Sequence, residues 1–170
     1  MEKGGFYEAT TDLSATMLGI SQWNWLESEK RRKAKIRLIL GGTQILREHN
    51  GYEAWANFPL QLERLVALIK KTRANGVMFL TGDTHWAELT RREWEDCYPL
   101  YDLTSSGLTE VWKEVSPNRF RLEDMVYLGA NFGSVKINWD DDDPTISLSI
   151  TDESGAQQFT HEVRLSAFQF

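Results

Sequence analysis

The chain has 170 residues, enough for one domain that buries about 70% of its unfolded surface. Its composition, 41% hydrophobic and 26% charged, excludes a disordered or collagen-like class. A formal charge of −6 leaves no basic excess to displace counterions, so nucleic-acid binding is not expected. The single cysteine, Cys97, excludes an internal disulfide framework and reads as a small buried hydrophobe. No apolar run reaches the roughly 18 residues of a membrane-spanning helix, so no membrane partner is expected. The first residues also lack the apolar core of a signal peptide.

Residues 1–17 are polar and glycine-containing, and read as an irregular lead-in. Ser21 is a good helix N-cap, and 22–33 then reads as a helix with Trp23 and Leu26 on its apolar side. Glu27–Arg31 and Glu29–Lys33 fall at i,i+4. The basic run Lys30-Arg31-Arg32-Lys33 fits the negative end of a helix better than a nucleic-acid surface. Ile36–Leu40 reads as a buried strand ending at Gly41-Gly42, with Thr43-Gln44 beyond its carboxyl end. His49 falls in a polar loop and reads as a surface residue.

Pro59 opens the clearest helix, with Leu62, Leu65, Val66 and Ile69 on one face and Asn75-Gly76 as its stop. Val77–Thr81 follows as a strand buried on both faces. Residues 36–81 therefore read as a strand–helix–strand unit joining parallel strands. Gly82 is expected to let the backbone turn, placing Asp83 and His85 beyond the strand's carboxyl end, where open α/β sheets hold their ligands. A carboxylate and an imidazole two residues apart can share one metal centre. The bland alternative is a capping Asp83 and an interior His85.

Residues 86–89 are ambiguous between helix and strand, and 99–104 read as a strand. Residues 111–128 have no clear period and read as a loop with one helical turn. Residues 131–139 and 145–151 alternate, and read as an antiparallel hairpin joined by Asp140-Asp141-Asp142-Asp143-Pro144. The aspartates read as a solvated tip, since no glycine or distant glutamate completes a calcium loop. A last strand spans 159–165, with His161 structural or exposed.

Several blocks then match a known family in order. They are Thr16-Met17-Leu18-Gly19 with Gln22-Trp23 and Trp25-Leu26; Gly42-Thr43-Gln44; Trp55 with Phe58-Pro59 and Glu63-Arg64; Phe79 through Leu89; Tyr98 through Thr109; and Asn131-Phe132-Gly133. Over residues 12–152 the chain resembles the carboxyl-terminal part of the PhoD-like (alkaline phosphatase D) metallophosphatases, within the calcineurin-like metallophosphoesterases. The resemblance implies an α/β fold: the second half of a two-sheet sandwich, a βαβ unit followed by mainly antiparallel strands, within one domain spanning 1–170. It implies hydrolysis of phosphate mono- or diesters, with Asp83 and His85 as metal ligands and iron with calcium as the metals. Glu88 or Gln44 is a candidate to hold His85, and Trp86 and Trp55 are candidates to line the site. Relatives carry further ligands upstream, so the resemblance implies a partial domain, completed by a missing amino-terminal half or by self-association. Relatives are commonly exported, though no route shows in this chain. Trp55-Ala56-Asn57-Phe58-Pro59 stands where many relatives have Trp-Asp-Gly-Tyr-Pro, which removes a polar contact. A non-catalytic accessory module and a glycan-binding domain are the competing readings; metal dependence separates the enzyme from both.

Overall fold

The computed structural model describes residues 7–48 and 51–170, so His49 and the first six residues of the lead-in lie outside it. Two α-helices and eight strands follow among the described residues in the order α1 (Ile20–Lys30), β1 (Arg37–Gly41), α2 (Pro59–Thr72), β2 (Val77–Thr81), β3 (Ala87–Trp94), β4 (Cys97–Ser105), β5 (Arg121–Tyr127), β6 (Asn131–Asn138), β7 (Thr145–Asp152) and β8 (Gln157–Arg164). The first five strands form a mixed sheet in the order β1-β2-β4-β3-β5, and the last three form an antiparallel meander. The fold is therefore α/β with two sheets, as expected.

Helix α2 does connect parallel strands: β1 and β2 run side by side from Arg37 opposite Val77 to Gly41 opposite Thr81. Strand β4 lies parallel to β2 on its other side. The carboxyl ends of β1, β2 and β4 thus open toward one region, and three loops meet there. Leu65, Ile69, Met78 and Phe79 pack with Leu100 and Leu103 of β4 and with Ile146, Leu148 and Ile150 of β7, so one core joins α2 and both sheets. Across the inter-sheet gap, His161 lies over Tyr101 at 5.4 Å between ring centroids. Its burial, followed by the nearby Arg91 guanidinium, lowers its pKa, in line with a structural histidine.

Several expectations need correction. Helix α1 begins at Ile20 behind Gly19, so Ser21 sits in the first turn and caps nothing. It ends at Lys30, which leaves Lys33 beyond it; Glu29 pairs with Arg32 instead, while the Glu27–Arg31 pair forms at 2.8 Å. Helix α2 stops at Thr72 because Arg73 turns left-handed (φ 50°), ahead of Asn75-Gly76. Strand β1 is not buried on both faces, because it is an edge strand covered on one side only: Leu38 is exposed and Leu40 is 76% exposed. Residues 86–89 fall at the start of β3 as strand, not helix. The aperiodic run 111–128 contains β5 and no helical turn. Asp124 takes a left-handed backbone (φ 58°) there, and the β3–β5 register shifts, so the two-residue period is lost. Among the described residues no helix is long and apolar enough to cross a membrane.

Candidate metal-binding site

The loop from Gly82 to Trp86 joins β2 to β3 and carries the two candidate ligands. The sharp turn is not made by Gly82, whose φ is not positive. Asp83 (φ 79°) and His85 (φ 60°) themselves adopt the left-handed conformation. That conformation costs roughly 1–2 kcal/mol for a residue with a Cβ, and such outliers cluster at functional sites. The Asp83 side chain is exposed and has no hydrogen-bond or ion-pair partner among the described residues. His85 is half-buried, and its Nδ1 is buried without a partner, as are Thr84 Oγ1 and Trp86 Nε1. Three consecutive residues thus keep polar atoms unspent, against the general rule that buried polar groups are paired.

Beneath the loop lies a closed polar network. Glu88 is fully buried in β3 and accepts from Arg121 Nε at 2.5 Å, from Gln44 Nε2 at 2.6 Å and from Asn118 Nδ2 at 3.2 Å. Gln44 also donates to Thr104 Oγ1 at 2.9 Å and accepts from Arg47 Nη1 at 2.7 Å. Thr81 donates to Asp102 Oδ1 at 2.6 Å, while the other Asp102 oxygen accepts the backbone N–H groups of Ile45 and Leu46 at 2.8 and 3.0 Å. Burial pushes the Asp102 carboxyl up; the Thr81 hydroxyl and the two backbone donors pull it back. Burial likewise lowers the Arg47 pKa, which Glu88 opposes. Two carboxylates and two guanidiniums balance, and the network fixes the loop after β1 against the ends of β2, β3 and β4. Breaking such a buried pair costs about 3–5 kcal/mol, because the survivor is left uncompensated.

The residues nominated around the ligands divide accordingly. Gln44 and Glu88 hold each other and do not reach His85. Trp86 is 2% exposed and cannot wall a site; it packs behind the loop, with the Arg47 guanidinium 5.8 Å from its ring. Trp55 is buried edge-on to Trp23 at 6.4 Å, yet it borders a cleft of roughly 520 Å³ that Thr43, Leu40 and Asp83 also line. The tryptophan that lies beside His85 is Trp112, which the aperiodic sequence around it concealed. Its backbone N–H donates to the His85 carbonyl at 3.0 Å, and its ring lies 5.7 Å from the His85 imidazole. A tryptophan among charged residues in an otherwise unreadable run was the available signal.

No cluster of three or more His, Cys, Asp or Glu side chains suited to a metal occurs among the described residues. Asp83 and His85 therefore fit a metal as two donors of a larger set: a carboxylate and an imidazole with free valences, short of the four or more ligands a bound ion takes.

Comparison with known proteins bears on the family and the fold. The chain matches the family described as PhoD-like phosphatase over residues 2–126. Its fold matches a structure of PhoD with a TM-score of 0.50 and 16% identity, over 88% of this chain and 36% of that one. A match to Vps29 of Entamoeba histolytica in complex with zinc has a TM-score of 0.30 and 16% identity, over 61% of this chain and 46% of that one, too slight a likeness to argue from. No curated protein matches significantly. The chain spans about a third of the PhoD chain it resembles. With the family match covering residues 2–126 of 170, the chain belongs to the PhoD-like phosphatase family.

Proposed function

We propose that this chain supplies part of the metal centre, and the scaffold beneath it, of a hydrolase acting on phosphate mono- or diesters. The observation that carries this reading is the pair of ligand-type side chains, Asp83 and His85, held left-handed at a strand's carboxyl end with unspent polar atoms. A carboxylate suits a hard cation and a neutral imidazole suits iron, in keeping with a centre that combines iron and calcium. When bound, the metals supply a water of lowered pKa and neutralise phosphoryl charge. Asp83 and His85 would hold the ions at the strand ends. The Glu88–Gln44–Asp102 network keeps the loops from shifting, and Trp112 screens the imidazole from solvent on one side.

The remaining ligands would come from outside the described residues, either from further polypeptide of the same protein or from a second copy. A phosphate ester is the partner; neither nucleic acid nor membrane is invoked. That no more than two such donors meet among the described residues also favours a second reading, an accessory module that keeps the scaffold without turnover.

Metal content and hydrolysis of aryl phosphate mono- and diesters separate the two, measured on the chain and on an Asp83→Ala, His85→Ala double variant. Stoichiometric metal and turnover, both lost in the folded double variant, are the expected result. A folded chain without metal and without turnover would show that a second copy does not complete the centre, and metal and turnover still absent when further polypeptide of the protein is supplied would leave the accessory reading.

A further inference from the structure

We propose that Trp112, backed by Tyr52, is a stacking platform that selects phosphate esters whose alcohol is a planar aromatic or heteroaromatic ring. The inference rests on the phosphate-ester reading of the Asp83–His85 loop and names the substrate class of that site.

Trp112 is 44% exposed although three other rings surround it. Tyr52 meets it edge-on at 6.2 Å and 78°, His85 lies at 5.7 Å and 54°, and Trp86 at 6.1 Å and 46°. These rings come from the segment after β1 and from the β2–β3 loop, so the indole is held in place by separate parts of the fold. Its own segment is pinned as well. Ser106 N–H donates to the Trp86 carbonyl at 3.2 Å and Trp112 N–H to the His85 carbonyl, so the chain after β4 is fastened twice to the ligand loop. A large apolar ring fixed in this way and still open to solvent is preorganised, and ordering it on binding costs little.

The position decides the ligand. One neighbour of the indole is the imidazole expected to hold metal, so a phosphoryl group at His85 places the group esterified to it beside the indole. A flat ring gains from offset or edge contact with the aromatic quadrupole, beyond the area it buries. A small alkyl group gains only the smaller area. Tyr52, 37% exposed, extends the same surface.

Calorimetric titration with phenylphosphonate and with methylphosphonate, in the metal-loaded protein, tests this without requiring turnover. The wild-type chain is expected to bind the phenyl compound roughly tenfold more tightly. Trp112→Ala collapses that ratio to about one, and Trp112→Phe, which keeps a ring, restores most of it. Both variants retain the backbone N–H that contacts His85, and circular dichroism checks their fold. Equal affinities in the wild type, or a preference that survives in Trp112→Ala, would overturn the platform. A Trp112-dependent preference in a chain that hydrolyses no ester would uphold the platform and overturn catalysis. Turnover without any preference would do the reverse.

Discussion

Asp83 and His85, the proposed ligands, show what a tight loop demands of a single residue. Both carry a Cβ into the left-handed region, where glycine would sit at little cost. Asp83→Gly is therefore expected to raise the unfolding free energy by about 1 kcal/mol, partly offset by the larger entropy of glycine in the unfolded chain. A rise in denaturant midpoint together with lost metal binding would fit a strained ligand; a clear fall in midpoint would argue against strain. The pair could be read from Gly82-Asp83-Thr84-His85 because a buried strand ran directly into it. Gln44 and Glu88 were legible as polar residues near the site but not as partners of each other. Hydrogen-bond direction is set by how β3 and the loop after β1 meet in space, which no spacing in the chain records. Trp112 was hidden for the same reason: its neighbours Tyr52, His85 and Trp86 come from other segments.

Among the elements, α2 and β2 could be drawn almost to the residue, since a helical face and a continuous apolar run are strong signals. Strand β5 could not, because the left-handed Asp124 breaks its alternation. Gly76 marks the junction where α2 gives way to β2. Its φ is 71°, and a Cβ there would lie 2.0 Å from the Lys35 carbonyl oxygen. Its N–H donates to Phe168 and its carbonyl accepts from Arg37, so three segments converge on it. Gly76→Ala should cost more than about 2 kcal/mol, read from the shift in thermal or denaturant midpoint. The carboxyl end of α1 gives a pH dependence. Lys30 is 5% exposed, and burial, then the Arg37 charge, pushes its pKa from 10.5 down to about 8. Below about pH 8 both folded and unfolded chains hold the proton. Between about 8 and 10.5 only the unfolded chain does, so this lysine makes stability rise with pH there. Lys30→Met should remove that rise, on the order of 3 kcal/mol across the window, when its stability profile is subtracted from the wild type's.

At the scale of the molecule, the family and the two-sheet architecture were legible because matching blocks recur in order from α1 through α2, β2 and β4 to the start of β6. The open side of β1 was not. Five mostly apolar residues suggested burial on both faces, but sequence cannot say whether a strand is flanked on two sides or one. Leu38 and Leu40 are exposed on that edge strand, with no strand paired beyond it among the described residues. Edges of this kind invite pairing by another chain. If a second copy or further polypeptide completes the metal centre, this edge is a natural contact. Leu40→Lys is then expected to weaken self-association of the chain tenfold or more in sedimentation velocity, with little change in the stability of the monomer.

The two sheets also differ in how far apart in sequence their partners lie. Strands β6, β7 and β8 follow one another as a meander, so each pairing closes only a short loop. The parallel pairing of β1 with β2 must wait until the whole of α2 has been folded back between Gly41 and Val77. The Asp102 carboxylate needs more still, because residues 45, 46 and 81 must all have arrived before its bonds can close. Contacts of such long sequence separation form slowly. The loop carrying Asp83 and His85 therefore rests on pairings of longer sequence separation than those of the meander, and in refolding from denaturant the amides of β6–β8 are expected to gain exchange protection before those of β1 and β2.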